Sequence, residues 1–197
     1  GIIVGSGIGG MDTIANIVVP MVNAGKVKRM GSSIVEQVMN SGTSARVGGL
    51  LALGNQVTSN SSACSTGNEA IFDAMTRIRA GLAKRMLAGG TEGASPHIWA
   101  GFDAMRVLSK KSNDRPEEAS RPMSASAGGF IPGSGGALLL LEDLETAQAR
   151  GARIYAELLG GHVNCGGHRM GGSMTAPNPT GVKRCILAAI ADAGISA

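Results

Sequence analysis

The sequence predicts an α/β protein built around a mostly parallel β-sheet. Short apolar segments alternate along the chain with stretches of helical periodicity, which is the pattern of β-α-β units. The composition agrees, because 31 glycines and only 3% aromatic residues suit helices that pack closely onto strands. A length of 197 residues allows one domain with a substantial core.

The elements are predicted from apolar runs bounded by glycine, which indicate strands, and from apolar residues three or four apart, which indicate helices. The first half should contain, in order, a strand in 1–7, helices over 12–24 and 32–53 with breaks at Pro20, Gly25 and Gly31, a strand over 56–62, and a helix that follows Cys64 and stops at Gly81. The second half should contain a strand over 85–90, a long loop over 109–135, a central strand over 137–142, a short helix before Gly151, a strand over 153–161, and a last helix after a Gly-rich loop.

Charge and composition argue against several classes of partner. The formal net charge of +4 fits an acidic partner, but the basic residues are dispersed and the few aromatic residues offer no platform for bases, so nucleic acid is not expected. No apolar run reaches the roughly 18 residues of a membrane span, and no signal peptide is present. The three cysteines form no CxxC pair. A soluble, cytoplasmic protein without a metal is expected.

The N-terminal motif Gly5-Ser-Gly-Ile-Gly-Gly10 satisfies G-x-G-x-x-G, the fingerprint of dinucleotide binding. A true site also needs an acidic residue about 20 positions further on, at the end of a second strand. The stretch near that position reads "VKRMGSS" and has neither an acid nor a strand pattern. A tight strand-to-helix turn is therefore the favoured interpretation.

Cys64 is the strongest candidate for chemistry. It lies in "NSSACSTGNEAI", among small residues, where a strand is predicted to give way to a helix. At that position the helix dipole favours a thiolate, and a backbone N–H can donate to an oxyanion on a bound acyl group. The alternative is a small buried hydrophobic residue, which is what most free cysteines are. Of the candidate bases His97, His162 and His168, none has a spacing that commits it to Cys64.

Several long segments resemble the β-ketoacyl-[acyl-carrier-protein] synthases of the I/II type. They are "SSACSTGNEAI", "AGGTEGASP", "GFDAMRVLSKKSNDRPEEASRPM", "GGFIPGSGGALLLLEDLETAQARGARIYAEL" and "MTAPNPTG". The resemblance implies a thiolase-like fold with αβαβα layers. Residues 1–152 would be part of its N-terminal half and residues 153–197 the beginning of its C-terminal half.

The resemblance also implies a function. Cys64 would accept an acyl group from an acyl carrier protein, and malonyl-carrier protein would lose CO₂ and attack that thioester in fatty acid biosynthesis. It implies substrate-binding roles for Ile8, Phe102 and Thr175. Lys28, Arg29 and Arg106 would bind the carrier protein, which itself brings the phosphopantetheine, so no resident cofactor is expected. A homodimer is expected as well, centred on the strand before Cys64.

The chain departs from the family pattern in two ways. The family's two catalytic histidines lie in motifs later than any segment matched here, and His162 and His168 do not correspond to them. Both ends therefore look cut from a longer protein, and the chain alone is expected to lack condensing activity. In addition, Ser124, Ala127 and Gly128 stand in "SRPMSASAGGF" where the family has two acids and an arginine.

Other functions stay open. A ketosynthase of a polyketide or aryl-polyene pathway carries the same cysteine motif. Thiolase shares the fold but would not carry the "SRP…GF…GSGG" segments in this form. A non-catalytic partner subunit is a further alternative, although such subunits usually replace the cysteine that is present here.

Overall fold

The computed structural model describes residues 1–196. The strands are β1 (Ile2–Gly5), β2 (Val57–Thr58), β3 (Arg85–Glu92) and β4 (Gly135–Glu142). The α-helices are α1 (Met11–Thr13), α2 (Val19–Asn23), α3 (Ile34–Val38), α4 (Gly42–Leu50), α5 (Thr66–Arg79), α6 (Pro96–Ala104), α7 (Leu144–Ala149) and α8 (Pro179–Ala193). A π-helical turn, Ile14–Val18, joins α1 to α2, and 3₁₀ turns lie at Val27–Arg29, Ala63–Ser65 and Pro116–Glu118.

The four strands form one sheet in the order β2-β1-β3-β4. β1 is parallel to both β2 and β3, whereas β4 is antiparallel to β3. Every residue of β1 is buried, as expected for a parallel strand covered on both faces. The prediction of a mostly parallel α/β sheet is therefore confirmed.

The core lies between this sheet and α5. Helix α5 buries Ala70 and Ala74 completely against β1 and β3, and these small side chains let the helix approach the sheet closely. The approach is closest where Gly67 faces Gly90, since a Cβ on Gly90 would lie 3.3 Å from the Cα of Gly67. This contact places the N-terminus of α5 beside the carboxyl end of the sheet.

Four predicted elements differ from the structure. The helix predicted over 32–53 is two helices, because Met39 adopts an extended conformation between α3 and α4. No break occurs at Pro20, since the π-helical turn before it relieves the clash of its ring with the preceding turn. The strand predicted over 56–62 is reduced to β2, and no strand forms over 153–161, where no neighbouring strand pairs with the segment in residues 1–196.

The predicted location of the strand over 137–142 was also wrong. It forms most of β4, which lies at an edge of the sheet rather than in its centre, and Leu139 and Leu140 are about half exposed. A continuous apolar run indicates that a strand is to be covered, but it does not say on which side a neighbour pairs. The other predicted strands and the last helix are confirmed.

An ionic cluster holds β4 to its neighbours. The Glu142 carboxylate pairs with Arg150 at 2.7 Å and with Arg85 at 2.5 Å. The hydrogen bonds from Arg150 and then Arg85 lower the pKa of Glu142 to about 2. The side chain therefore stays ionised at neutral pH and ties the start of β3 to the residue that follows α7.

The C-terminal helix is fastened to α5 through Asp192. Its carboxylate accepts a hydrogen bond from the Gly161 N–H at 2.9 Å and pairs with Arg79 at 2.9 Å. The Gly161 hydrogen bond, and then the Arg79 guanidinium, lower the pKa of Asp192. Within residues 1–196, no helix is long and apolar enough to cross a bilayer.

Candidate active site

Cys64 lies in a tight turn between the sheet and helix α5. The 3₁₀ turn Ala63–Ser65 is continuous with α5, which begins at Thr66. Ala63 has a φ of 53°, in the left-handed region that a residue with a Cβ adopts only at a cost of about 1–2 kcal/mol. Such local strain is common where a turn presents a reactive side chain. Cys64 itself is exposed.

The hydroxyl of Thr66 holds this turn together. Its Oγ1 accepts a hydrogen bond from the Ser62 N–H at 2.8 Å and donates to the Ala63 carbonyl at 2.6 Å. The Asn60 side-chain amide donates to the Thr66 carbonyl at 2.9 Å. Cys64 is thus enclosed by a short network that fixes the backbone on both sides of it.

The glycine-rich turn after β1 binds a carboxylate of the protein itself. Oε2 of Glu92 accepts from the Gly7 N–H at 3.0 Å, while Oε1 accepts from the Ile8 N–H at 3.3 Å and from the Ser6 hydroxyl at 3.2 Å. Backbone N–H groups that converge in this way form a binding site for an anion. Because the Glu92 carboxylate occupies it, the structure favours the tight turn over the dinucleotide site, as the sequence analysis did.

This turn also contacts the segment that leads to Cys64. The Ser61 hydroxyl donates to the Gly7 carbonyl at 3.4 Å, and the Ser6 N–H donates to the Asn60 carbonyl at 3.4 Å. Ile8 follows directly and lines a cavity of about 530 Å³. Apolar side chains that share this cavity with Ile8 are Met11, Met39, Val47 and Ile98.

Phe102 lies on α6 and packs edge-to-face against Phe130, with ring centroids 5.9 Å apart. Neither ring lines the cavity beside Ile8. Thr175 lies in the loop before α8, where its hydroxyl is 2.9 Å from that of Ser173. The contacts of residues 1–196 therefore join Ile8 to the Cys64 turn, whereas Phe102 and Thr175 belong to separate local clusters.

The basic residues with a predicted partner role are exposed. Lys28 and Arg29 form the end of the 3₁₀ turn after α2. Arg106 follows α6 and has a φ of 59°. Its N–H donates to the Asp103 carbonyl at 2.8 Å.

The histidines take no part in the Cys64 turn. His97 lies in the first turn of α6. His168 receives a hydrogen bond from the Met170 N–H at 2.9 Å, and the carbonyl of His162 accepts one from the Cys185 thiol at 3.3 Å. Among the described residues, no three His, Cys, Asp or Glu side chains are grouped in a way that could hold a metal ion.

The loop that departs from the family pattern is held by other groups. Arg121 donates to the Ser126 hydroxyl at 3.2 Å and lies 3.4 Å from the Glu118 carboxylate. The hydroxyls of Ser124 and Ser126 are 3.0 Å apart. Gly128 leaves no room for a side chain, because its Cβ would lie 2.7 Å from the Ser109 hydroxyl. In this chain hydroxyl groups and one arginine support the loop.

Sequence reasoning missed Glu92, Asn60 and Thr66. A signal for Glu92 was present, since it follows a predicted parallel strand and so lies at the same sheet edge as the glycine-rich turn. The hydroxyl of Thr66, two residues after Cys64, was a weaker signal. Its role depends on the backbone conformation of Ala63, which a sequence does not reveal.

Comparison with known proteins agrees with this geometry. Residues 1–147 match the family described as "Beta-ketoacyl synthase, N-terminal domain". The chain is 39% identical over 199 aligned residues to 3-oxoacyl-[acyl-carrier-protein] synthase I, chloroplastic, of Arabidopsis thaliana, covering 100% of this chain and 41% of that protein. The chain thus spans less than half the length of this relative.

Solved structures give the same result. A β-ketoacyl synthase from Burkholderia phymatum matches with a TM-score of 0.87 and 34% identity over 99% of this chain and 46% of that one. A ketosynthase solved as AntDE:AntF, described as a type II PKS acyl-carrier protein in complex with its ketosynthase bound to the hexaketide, matches with a TM-score of 0.87 and 29% identity, covering 100% of this chain and 49% of that one. The fold is therefore part of the thiolase-like fold, and the chain belongs to the β-ketoacyl synthase family.

Proposed function

We propose that this chain is the nucleophile-bearing part of a 3-oxoacyl-[acyl-carrier-protein] synthase of fatty acid biosynthesis. One observation carries the proposal: Cys64 is exposed on a constrained turn at the N-terminus of a 14-residue helix. The printed name of the Arabidopsis relative supports it. A thiol held there is stabilised as the thiolate by the helix dipole and is open to a large substrate.

The proposed reaction has two steps. The Cys64 thiolate attacks the carbonyl of an acyl-carrier-protein thioester, and the carrier thiol leaves as Cys64 becomes acylated. The malonyl unit on a second carrier then loses CO₂, and its carbanion attacks the acyl carbon. A C–C bond forms, the bond from acyl carbon to Sγ breaks, and the thiolate returns. The product is a 3-oxoacyl thioester two carbons longer.

The two steps are proposed to need different parts of the protein. N–H groups in the first turn of α5 would stabilise the oxyanion that forms on the acyl group. The resemblance assigns decarboxylation to histidines in motifs that the 197 residues do not contain. We therefore place those histidines on a longer chain, and the activity tests below use that longer protein.

The test is product formation. The longer protein is incubated with decanoyl-carrier protein and carboxyl-labelled malonyl-carrier protein, and we expect 3-oxododecanoyl-carrier protein and labelled CO₂ in equal amounts. The Cys64→Ala variant is the control and should form no condensation product. Condensation that persists in this variant would remove Cys64 from the reaction, and the absence of product from the unaltered protein would reject the proposed function.

A polyketide ketosynthase is the second candidate. The likeness to the AntDE:AntF ketosynthase favours it, although at lower identity than the match to the Arabidopsis relative. The two functions differ in the number of extensions without reduction. Products elongated once and then released support the fatty acid function, while poly-β-keto chains formed from malonyl units alone would support the polyketide function.

The proposed partner is an acidic carrier protein that binds at Lys28, Arg29 and Arg106. These side chains are exposed, and rim charges act mainly on the rate of encounter. Changing each to glutamate should raise the KM for carrier protein by about tenfold in combination and weaken its salt dependence. Lys183→Glu, on the exposed face of α8, is the matched control and should change neither quantity. An unchanged KM in the triple variant would move the contact elsewhere.

We propose a homodimer centred on β2. This strand lies at an edge of the sheet. The Gln56 carbonyl accepts from Ile2 of β1 at 2.8 Å, so the backbone groups of the next residue, Val57, point away from β1. A copy of the same edge, related by a twofold axis, could bind these groups on both sides.

Val57→Pro tests the dimer without disturbing the β1–β2 ladder. Proline removes the outward-pointing N–H, so we expect light scattering of the longer protein to show a shift from dimer to monomer. Val57→Ala keeps the N–H and should remain dimeric. A proline variant that stays dimeric and active would place the interface elsewhere.

Two expectations from the sequence remain proposals. No resident cofactor is proposed, since the phosphopantetheine thiol would arrive on the carrier protein. A cytoplasmic location is proposed as well, although the name of the Arabidopsis relative describes that enzyme as chloroplastic.

A further inference from the structure

The carboxylate of Glu92 is the single group that anchors the turn between β1 and α1. It ends β3, whose Gly90 pairs in register with Gly5 of β1, so it reaches the turn from the neighbouring strand. Three donors, the Gly7 and Ile8 N–H groups and the Ser6 hydroxyl, converge on its two oxygens. Hydrogen bonds to an ionised acceptor are stronger than those between neutral groups.

The turn has little freedom to adopt another position. A Cβ on Gly7 would lie 2.9 Å from Oε2 of Glu92, so the backbone lies directly against the carboxylate. On its other side the turn is hydrogen-bonded to Asn60 and Ser61, which lead to Cys64. The position of Ile8 is therefore fixed between Glu92 and the nucleophile turn.

Ile8 and Glu92 line the same cavity of about 530 Å³, together with apolar side chains from α1, α6 and the region of α4. A shift of the Ile8 backbone would change the space open to an apolar chain there. We propose that Glu92 is a positioning residue that acts through Ile8 and so determines which acyl chain lengths Cys64 accepts. This inference rests on the proposed function.

Glu92→Gln is the sharpest variant, because it keeps the size of the side chain and changes one acceptor into a donor. The amide oxygen can accept from only one side, so the NH₂ group faces the N–H of either Gly7 or Ile8. We expect discrimination between hexanoyl and palmitoyl transfer to Cys64 to weaken by about tenfold, the size expected from losing one hydrogen bond to a charged group. Ser6→Ala, which leaves both backbone bonds intact, should cause a smaller change in the same direction.

A double-variant cycle separates positioning from a general loss of stability. Ile8→Ala should itself broaden the chain-length profile, and adding Glu92→Gln to it should cause no further broadening. Additive effects, or an unaltered profile in Glu92→Gln, would overturn the inference.

Hydrogen exchange of the peptide that contains Ser6–Ile8 gives a readout that needs no activity. Exchange in this peptide should be about tenfold faster in Glu92→Gln, while exchange in α8 stays the same. Unchanged exchange would overturn the positioning role. If exchange changes but the unaltered protein never acylates Cys64, the proposed function fails and only the anchoring of the turn is retained.

Discussion

Limiting iodoacetamide is expected to alkylate Cys64 at least about tenfold faster than Cys165 or Cys185, because thiolate character and access determine the rate. Exposure alone does not distinguish the first two, since Cys64 and Cys165 are both exposed. Their surroundings do. Cys64 lies at the N-terminus of α5, whereas Cys165 lies in an irregular loop and receives one N–H, from Gly167 at 3.3 Å.

Cys185 should react most slowly. It is only partly exposed, and its thiol donates to the His162 carbonyl at 3.3 Å, which favours the protonated form. Peptide mapping by mass spectrometry at short times gives the three rates. Decanoyl-carrier protein added beforehand should protect Cys64 alone. Faster labelling of Cys165, or protection of another cysteine, would contradict the assignment of the nucleophile.

The same site shows what the sequence could and could not predict. The position of Cys64 at a strand-to-helix junction followed from a change in periodicity, from the β-type residues before it to the apolar face of α5. The structure confirms that junction. The φ of 53° at Ala63 could not be predicted, because alanine is not a residue that favours the left-handed region. The surrounding network imposes it.

The errors in the fold have a common physical origin. The segments over 56–62, 137–142 and 153–161 all carry strand-forming residues, but strand length and place in a sheet depend on what pairs beside them. β2 is confined to Val57–Thr58, and the segment over 153–161 pairs with no strand in residues 1–196. Residue patterns report a tendency to be extended or covered, while the partner lies far away in sequence.

Glu92 illustrates the same limit at the site. The glycine-rich turn had the sequence of an anion site, and the absence of a distant acid argued against a dinucleotide. The anion that fills the site lies more than 80 residues away in sequence. Only the parallel register of β1 and β3 brings it there.

Gly5→Ala is expected to have the largest effect of any substitution outside Cys64 itself. Its Cβ would lie 1.9 Å from Cγ2 of Thr66 and 2.5 Å from Oδ1 of Asn60. These are the two side chains that hold the Cys64 turn. We expect the rate of Cys64 acylation to fall by about a hundredfold, because displacements near 1 Å are enough to misalign a nucleophile. Overpacking should also lower the free energy of unfolding by about 1–3 kcal/mol.

Two further variants determine whether the effect passes through Thr66. Gly49→Ala, on the exposed face of α4 where a Cβ meets nothing within 4 Å, should leave acylation unchanged and stabilise the helix by about 0.5–1 kcal/mol. Thr66→Ser removes Cγ2 but keeps the hydroxyl that bridges Ser62 and Ala63. Added to Gly5→Ala, it should restore part of the acylation rate, with the remaining loss due to Asn60. If Thr66→Ser restores nothing, the alanine acts on the strand and not on the turn that presents Cys64.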